Sequence, residues 1–477
     1  MDDRGPLLKQ TAGLAADFLN SLPDRPVRGP ATRADLLTTM GGALPEHGEP
    51  AEAVVAALAR NADPGIVAST GPRYFGFVIG GGTPAALAAD WLTSAWDQNG
   101  FAFVMSPAAS VAEELAAGWV LELLGLPSDA SVGFTTGVTM ASFTGLAAGR
   151  HRLLQRAGWN VEDDGLTGAP EIAVVLGTEA HATVYASLQM LGLGRKRVIK
   201  VDSDGQGRMR ADALRSTLVG LGDRPVLVVA QAGNVNTGSF DPFAEISAAV
   251  RDLPNAWLHI DGAFGIWAAV PATRHNLVAG IADADSWSTD AHKWLNVPYD
   301  SGIAIVRDQE AHRDAMLYGA AYYVPGAGAE RDGGNWVAES SRRARGIPIY
   351  AAIRELGREG VADLVERCCL LAARMADRLR GADGVVILND VVLNQVLVRF
   401  ARPGSVADPA DPDADVDAFT RAVIAAVQAD GTCWLGGTTW HGIAAMRISV
   451  SNWSTTEADI DVSAEAILRC AAVVAAS

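Results

Sequence analysis

The residue in this chain best placed to do chemistry is a lysine. Lys293 sits in the stretch STDAHKW (288–294), among small and aromatic neighbours, where lysine is seldom found without a partner or a task. A desolvated ε-amine has a lowered pKa and can attack a carbonyl to form a Schiff base. The plainer alternative is a side chain that snorkels to solvent, and the segment alone does not separate the two. Asp261 follows the apolar run WLHI and precedes GAFG. A carboxylate there can hold a protonated heterocyclic nitrogen, with Ala263 leaving room for a flat ring, or it can cap a helix. His181, in EAHAT, can stack on such a ring or bond to backbone in the core. The run GFTTGVT (133–139) leads into a small-residue stretch. Glycine and hydroxyl residues opening a helix bare N–H groups that suit a phosphate, and equally an ordinary N-cap.

These residues need a frame. Short apolar, β-rich runs at 172–176, 198–201, 226–230, 257–260 and 302–306 alternate with longer helical or loop stretches. That alternation predicts a mostly parallel sheet covered on both faces, in which ligands gather beyond the carboxyl ends of the strands. Ahead of it, 107–126 reads as a helix with Val111, Leu115, Trp119 and Leu123 on one apolar face, ended by Gly125 and Pro127. Residues 1–70 read as helices broken by prolines and form a first segment. A large α/β domain spans 71–360. A smaller α+β domain, 361–477, holds a helix at 364–380, alternating residues at 391–400, an Asp/Pro-rich loop at 403–415, a further helix and a strand at 445–450. The Gly/Asp-rich stretch 325–334 reads as a mobile loop.

Composition narrows the function. With 477 residues, 49% of them hydrophobic, the chain has material for more than one core. Its 38 basic and 55 acidic side chains leave a formal charge of −17, which repels phosphate backbones and anionic lipid and argues against nucleic-acid or membrane partners. The four cysteines form no CxxC pair, which fits a reduced cytoplasmic protein without structural metal. The N-terminus lacks the pattern of a signal peptide, and no apolar run approaches the ~20 residues of a membrane span.

Read together, phosphate turn, histidine, strand-end aspartate and His-Lys-Trp resemble the group II pyridoxal 5′-phosphate (PLP) decarboxylases, the family of the aromatic-amino-acid and glutamate decarboxylases. The likeness runs from about Pro72 to the C-terminus. It is carried by SPAASVAEELAAGW, TTGVTMASFTGLAAGR, EAHATVYASLQMLGLG, AGNVNTGSFDP, HIDGAFG, ADSWSTDAHKW and SRRARG. The resemblance implies the aspartate-aminotransferase-like fold type I of the PLP-dependent transferases, a homodimer, and decarboxylation of an L-amino acid, aromatic as a first guess, to amine and CO₂. It implies that Lys293 carries PLP as a Schiff base with His292 near the phosphate, and that Gly137, Val138 and Thr139 bind the phosphate. His181 and Ala263 would flank the ring, and Asp261 would pair with its nitrogen. Phe77 and Phe101 match apolar side-chain-binding positions. Tyr322 matches the tyrosine that protonates Cα, and adjacent Tyr323 is the other candidate; a phenylalanine there marks the aldehyde-forming, oxidative branch of the family. An aminotransferase or another lyase of the same fold is the remoter alternative.

Three departures stand out. Asp290 occupies a position that is often Asn and serves the phosphate, where a carboxylate would repel it. Asn234-Val235 replaces a common Thr-Thr pair. Ser69 stands where Trp is common, and Gln98 and Asn99 precede Phe101, which makes the pocket wider or more polar.

Overall fold

The computed structural model describes residues 4–317, 330–405 and 413–476. The larger of two compact units comprises Gly80–Ala373 and Asn389–Val396. Its centre is a seven-stranded sheet of β1 (Ser131–Thr135), β2 (Ala173–Gly177), β3 (Ile199–Val201), β4 (Val226–Gln231), β5 (Ala256–Asp261), β6 (Ser286–Asp290) and β7 (Gly302–Val306). They lie in the order β1-β7-β6-β5-β4-β2-β3. Only β7 runs against its neighbours β1 and β6; the pairings from β6 through β5, β4 and β2 to β3 are parallel. The carboxyl ends of the other six strands therefore share one edge.

Valine, leucine and alanine fill both faces of β2 and β4, which are buried along nearly their whole length, as a parallel sheet covered on two sides requires. Helix Val138–Arg156 lies against β5, β6 and β7 and buries twelve of its nineteen residues. Gly149 allows the contact: a Cβ there would come within 2.8 Å of the Trp257 ring on β5. The indole N–H of that Trp donates to Ser286 Oγ at 2.9 Å, so a polar atom in the core is satisfied.

The smaller unit comprises Met1–Ile79, Arg374–Leu388 and Leu397–Ser477. It carries helices Gly5–Ser21, Arg33–Met40 and Ala51–Ala62, and a four-stranded sheet. The strands β8 (Val385–Ile387), β9 (Gln395–Phe400), β10 (Gly436–Trp440) and β11 (Ile443–Ser449) lie in the order β10-β11-β9-β8. Leu397, Trp440 and Ala445 form a core patch on it. Fully buried Arg399 on β9 donates to Asp417 at 3.1 Å.

Two expectations need correcting. Helix Pro107–Leu124 forms, and Leu123 of the expected face is buried, but Val111 and Leu115 are exposed, and the burial is shared with Ala109, Glu113, Ala116, Ala117, Val120 and Leu124. The described part of 325–334 is not loose: Asp332 accepts the Phe103 N–H at 2.8 Å, and Gly334 N–H donates to the Phe101 carbonyl at 2.7 Å.

Candidate active site

The shared strand edge gathers the polar residues. β1 ends at Thr135 and passes through Gly137 into helix Val138–Arg156. After β2, His181 caps helix Ala182–Met190, its ring accepting the Thr183 N–H at 3.3 Å. β5 ends on Asp261 and β6 on Asp290, three residues before Lys293. In register, Gln231, Asp261 and Ser288 lie side by side across β4, β5 and β6.

Lys293 is largely withdrawn from solvent, with 16% of its side chain exposed. Its Nζ lies 3.2 Å from Asp290 Oδ2 and 6.0 Å from the centre of the Phe264 ring. Asp290 is buried. Its Oδ1 accepts the Val138 N–H at 2.6 Å, the first amide of the helix, and its Oδ2 lies 3.4 Å from His292 Nε2. The His292 ring stacks on Tyr299 with centroids 4.2 Å apart. Burial pushes its pKa down, and its Nδ1 is buried without a hydrogen-bond partner. Such an atom awaits an acceptor or donor from a bound group.

Asp261 is buried at the other side of the cluster. Burial is the main influence and pushes its carboxyl above the ordinary range, while His181 and Lys293 pull the other way. It accepts the Ala263 N–H at 3.2 Å, and the Ala263 carbonyl in turn accepts the Asp290 N–H at 3.0 Å. One tight turn thus ties Asp261 and Asp290 together. A buried carboxylate raised by desolvation gains from a cationic nitrogen placed against it.

Three further features escaped sequence reasoning. Asp241, inside the AGNVNTGSFDP run, is a buried carboxyl that accepts the Met209 and Gln231 N–H groups at 2.7 and 2.8 Å, and burial pushes its pKa to about 6. It pins the end of β4 beside Asp261. Asn234, in the same run, donates to Glu179 at 3.0 Å and accepts the Asn236 and Thr237 N–H groups. Glu113 and Arg342 form a bidentate pair at 2.7 and 2.8 Å, each side chain only 1% exposed. Around them Gly100 N–H donates to the Arg342 carbonyl at 3.0 Å and Arg342 N–H to Asn99 Oδ1 at 3.3 Å, fixing the segment that holds Phe101. The SRRARG and SPAASVAEELAAGW runs hold its two members, but their pairing was not read from the sequence.

The remaining candidates divide. Gly137, Val138, Thr139, His181, Asp261, Ala263, His292 and Lys293 all fall on this strand edge or the turns leaving it. Phe101 is half-buried in the larger unit. Phe77 belongs to the smaller unit, where it is 61% exposed and stacks on Trp434 at 5.5 Å. Tyr322 and Tyr323 lie outside the described residues.

The comparisons with known proteins agree with this frame. The model of the pyridoxal-dependent decarboxylase conserved domain matches residues 34–401. An aromatic-L-amino-acid decarboxylase of Bacillus atrophaeus is 25% identical over 82% of this chain and 80% of its own length. An L-2,4-diaminobutyrate decarboxylase of Rhizobium meliloti is 31% identical over 68% of this chain and 64% of its own. The structure of Oryza sativa TDC, solved with PLP and tryptamine, superposes with a TM-score of 0.90 over 99% of both chains at 22% identity. The fold is that of the type I PLP enzymes. The chain belongs to the pyridoxal-dependent decarboxylase family, group II, and is a PLP-dependent carboxy-lyase.

The residues present fit that cofactor. Gly302 has room for no Cβ, which would come within 2.4 Å of the Gly137 Cα, so the turn at Gly137 is held directly against β7. The orphaned His292 Nδ1, the largely buried Lys293 and the strand-end Asp261 could supply a donor or acceptor for each polar end of PLP.

Proposed function

We propose that the protein removes CO₂ from an L-amino acid and releases the amine, with Lys293 as the covalent anchor and aromatic amino acids as the first substrates to test. The observation that carries this is the placement of Lys293 between two buried carboxyl groups, Asp290 and Asp261, at the carboxyl edge of the sheet. When bound, PLP supplies the sink for the electron pair released as the bond to the carboxylate carbon breaks.

The chain's own residues do the rest. Lys293 would hold the cofactor through its ε-amine. Gly137, Val138, Thr139 and His292 bind the phosphate end. Asp261 keeps a proton on the ring nitrogen through a charge-assisted hydrogen bond, and His181 and Ala263 hold the two ring faces. Tyr322 delivers a proton to Cα, its phenol remaining protonated at neutral pH because its pKa is about 10. Phe101 receives the side chain. The working form is a cytoplasmic homodimer with residues 1–70 packed across the partner. Exposed Trp91, Trp96, Val104, Met105, Val111 and Leu115 in the larger unit support an apolar surface covered by a second copy. Among the described residues no helix is long and apolar enough to cross a membrane.

Borohydride reduction and peptide mapping should place the cofactor on Lys293, and a screen of amino acids for CO₂ release should identify the substrate. An adduct on another lysine would overturn the site. Consumption of oxygen in proportion to substrate, with aldehyde as product, would move the protein to the oxidative branch.

A further inference from the structure

Asp290 is a carboxylate in an anion's place. It accepts the first amide of helix Val138–Arg156 at 2.6 Å, which is where the positive end of the helix would meet a phosphate. Around it stand Lys293 Nζ at 3.2 Å and His292 Nε2 at 3.4 Å. Asp261 is the other acidic group close enough to act on it, and His181 acts in turn on Asp261. Its Oδ1 also lies 3.5 Å from where a Cβ on Gly137 would sit, so the carboxylate faces the turn itself. An asparagine could hold the same amide and still donate to a phosphate oxygen. An ionised aspartate can only accept, and two anions a hydrogen bond apart cannot both stay fully charged in a buried site.

We propose that Asp290 and the cofactor phosphate share one proton, so that cofactor binding draws a proton from solvent and weakens as pH rises. This rests on the reading that the phosphate sits at the start of that helix. Without cofactor, Asp290 fills the anion site and is neutralised by Lys293. When the phosphate arrives, one proton enters and lies between a carboxylate oxygen and a phosphate oxygen, and no other bond changes. The position thus makes retention of cofactor depend on pH in a way an asparagine would not.

Pyridoxine 5′-phosphate tests this, because it lacks the aldehyde and forms no bond to Lys293. Its affinity for the full-length apoprotein and for Asp290→Asn is measured from pH 7 to 9, where the phosphate is already a dianion because its second pKa is about 6. Any proton taken up by the ring nitrogen is common to both proteins and cancels. The expected result is an affinity that falls about tenfold more per pH unit in the native protein than in Asp290→Asn, the slope of one linked proton. The variant should also bind more tightly at pH 9. Parallel pH profiles would overturn the proposal, and so would a profile that flattens in His292→Gln but not in Asp290→Asn, since the proton would then sit on the imidazole. Mapping PLP in Asp290→Asn separates the layers: an adduct on Lys293 with parallel profiles sinks only the shared proton. An adduct elsewhere sinks the site.

Discussion

At the scale of single residues the site is a set of charges held apart by backbone. Asp261 and Asp290 end neighbouring parallel strands and are linked through the Ala263 peptide. Asp261→Asn should still bind PLP but lose turnover by roughly 100-fold or more, the scale of removing one electrostatic contact from a preorganised site. Absorbance of the bound cofactor separates the two effects, and near-native kcat would show that another group holds the ring proton. Tyr322→Phe should divert product from amine towards aldehyde, ammonia and peroxide, read as oxygen uptake per substrate consumed. Unchanged products would pass the role to Tyr323 or another acid. Asp261 and His181 stood out in the sequence because each follows an apolar strand run closely, and Lys293 because it lies among small and aromatic neighbours. The partners of Asp290 were not, since only the fold brings residue 138 to residue 290.

At the scale of elements, the strands with β-branched cores were read within a residue or two: 226–230 became Val226–Gln231, and Gly302–Val306 kept its bounds. β6 was missed as a strand because its sequence, SWSTD, has one apolar residue. Its polar side chains are satisfied internally, Ser288 by Ser142 at 2.9 Å and Ser286 by His259 at 2.8 Å, so it is buried without looking hydrophobic. The helix Pro107–Leu124 misled in the opposite sense. Val111 and Leu115 face outward, whereas alanines, Glu113, Val120, Leu123 and Leu124 are buried, and Glu113 meets the Arg342 guanidinium there. Glu113→Ala should therefore cost about 3–5 kcal/mol, the penalty for leaving a buried partner charge uncompensated. Urea titration checks it, and a loss under 1 kcal/mol would mean that Arg342 finds another acceptor. Substrate KM should rise in whatever fraction still folds, because the segment holding Phe101 loses its clamp.

At the scale of the whole molecule, buried titratable groups set how the fold responds to acid. His259 is fully buried between Ser286 and Ser288 on β6. His312, equally buried, lies between the Ser131 hydroxyl and the Trp336 carbonyl. Burial pushes both pKa values from 6.5 to about 3. A histidine held neutral in the fold contributes stability that is complete above pH 6.5 and is lost as pH falls towards 3, because the unfolded chain takes up the proton first. Carried through fully, each shift is worth about 5 kcal/mol. Asp241 works the other way: its carboxyl, raised from 3.8 to about 6, favours the fold below pH 4, and that contribution, about 3 kcal/mol, disappears as pH rises through 6. Two histidines outweigh it, each lying further from its ordinary value. Stability measured by urea unfolding should accordingly fall between pH 6.5 and 4. His312→Gln should remove most of that slope between pH 6 and 4, since glutamine cannot take up a proton there and Asp241 offsets the one imidazole that remains, while leaving the fold at pH 8 weaker only by the hydrogen bonds it fails to replace. If the native protein is as stable at pH 4.5 as at pH 7, the buried imidazoles do not govern its acid limit.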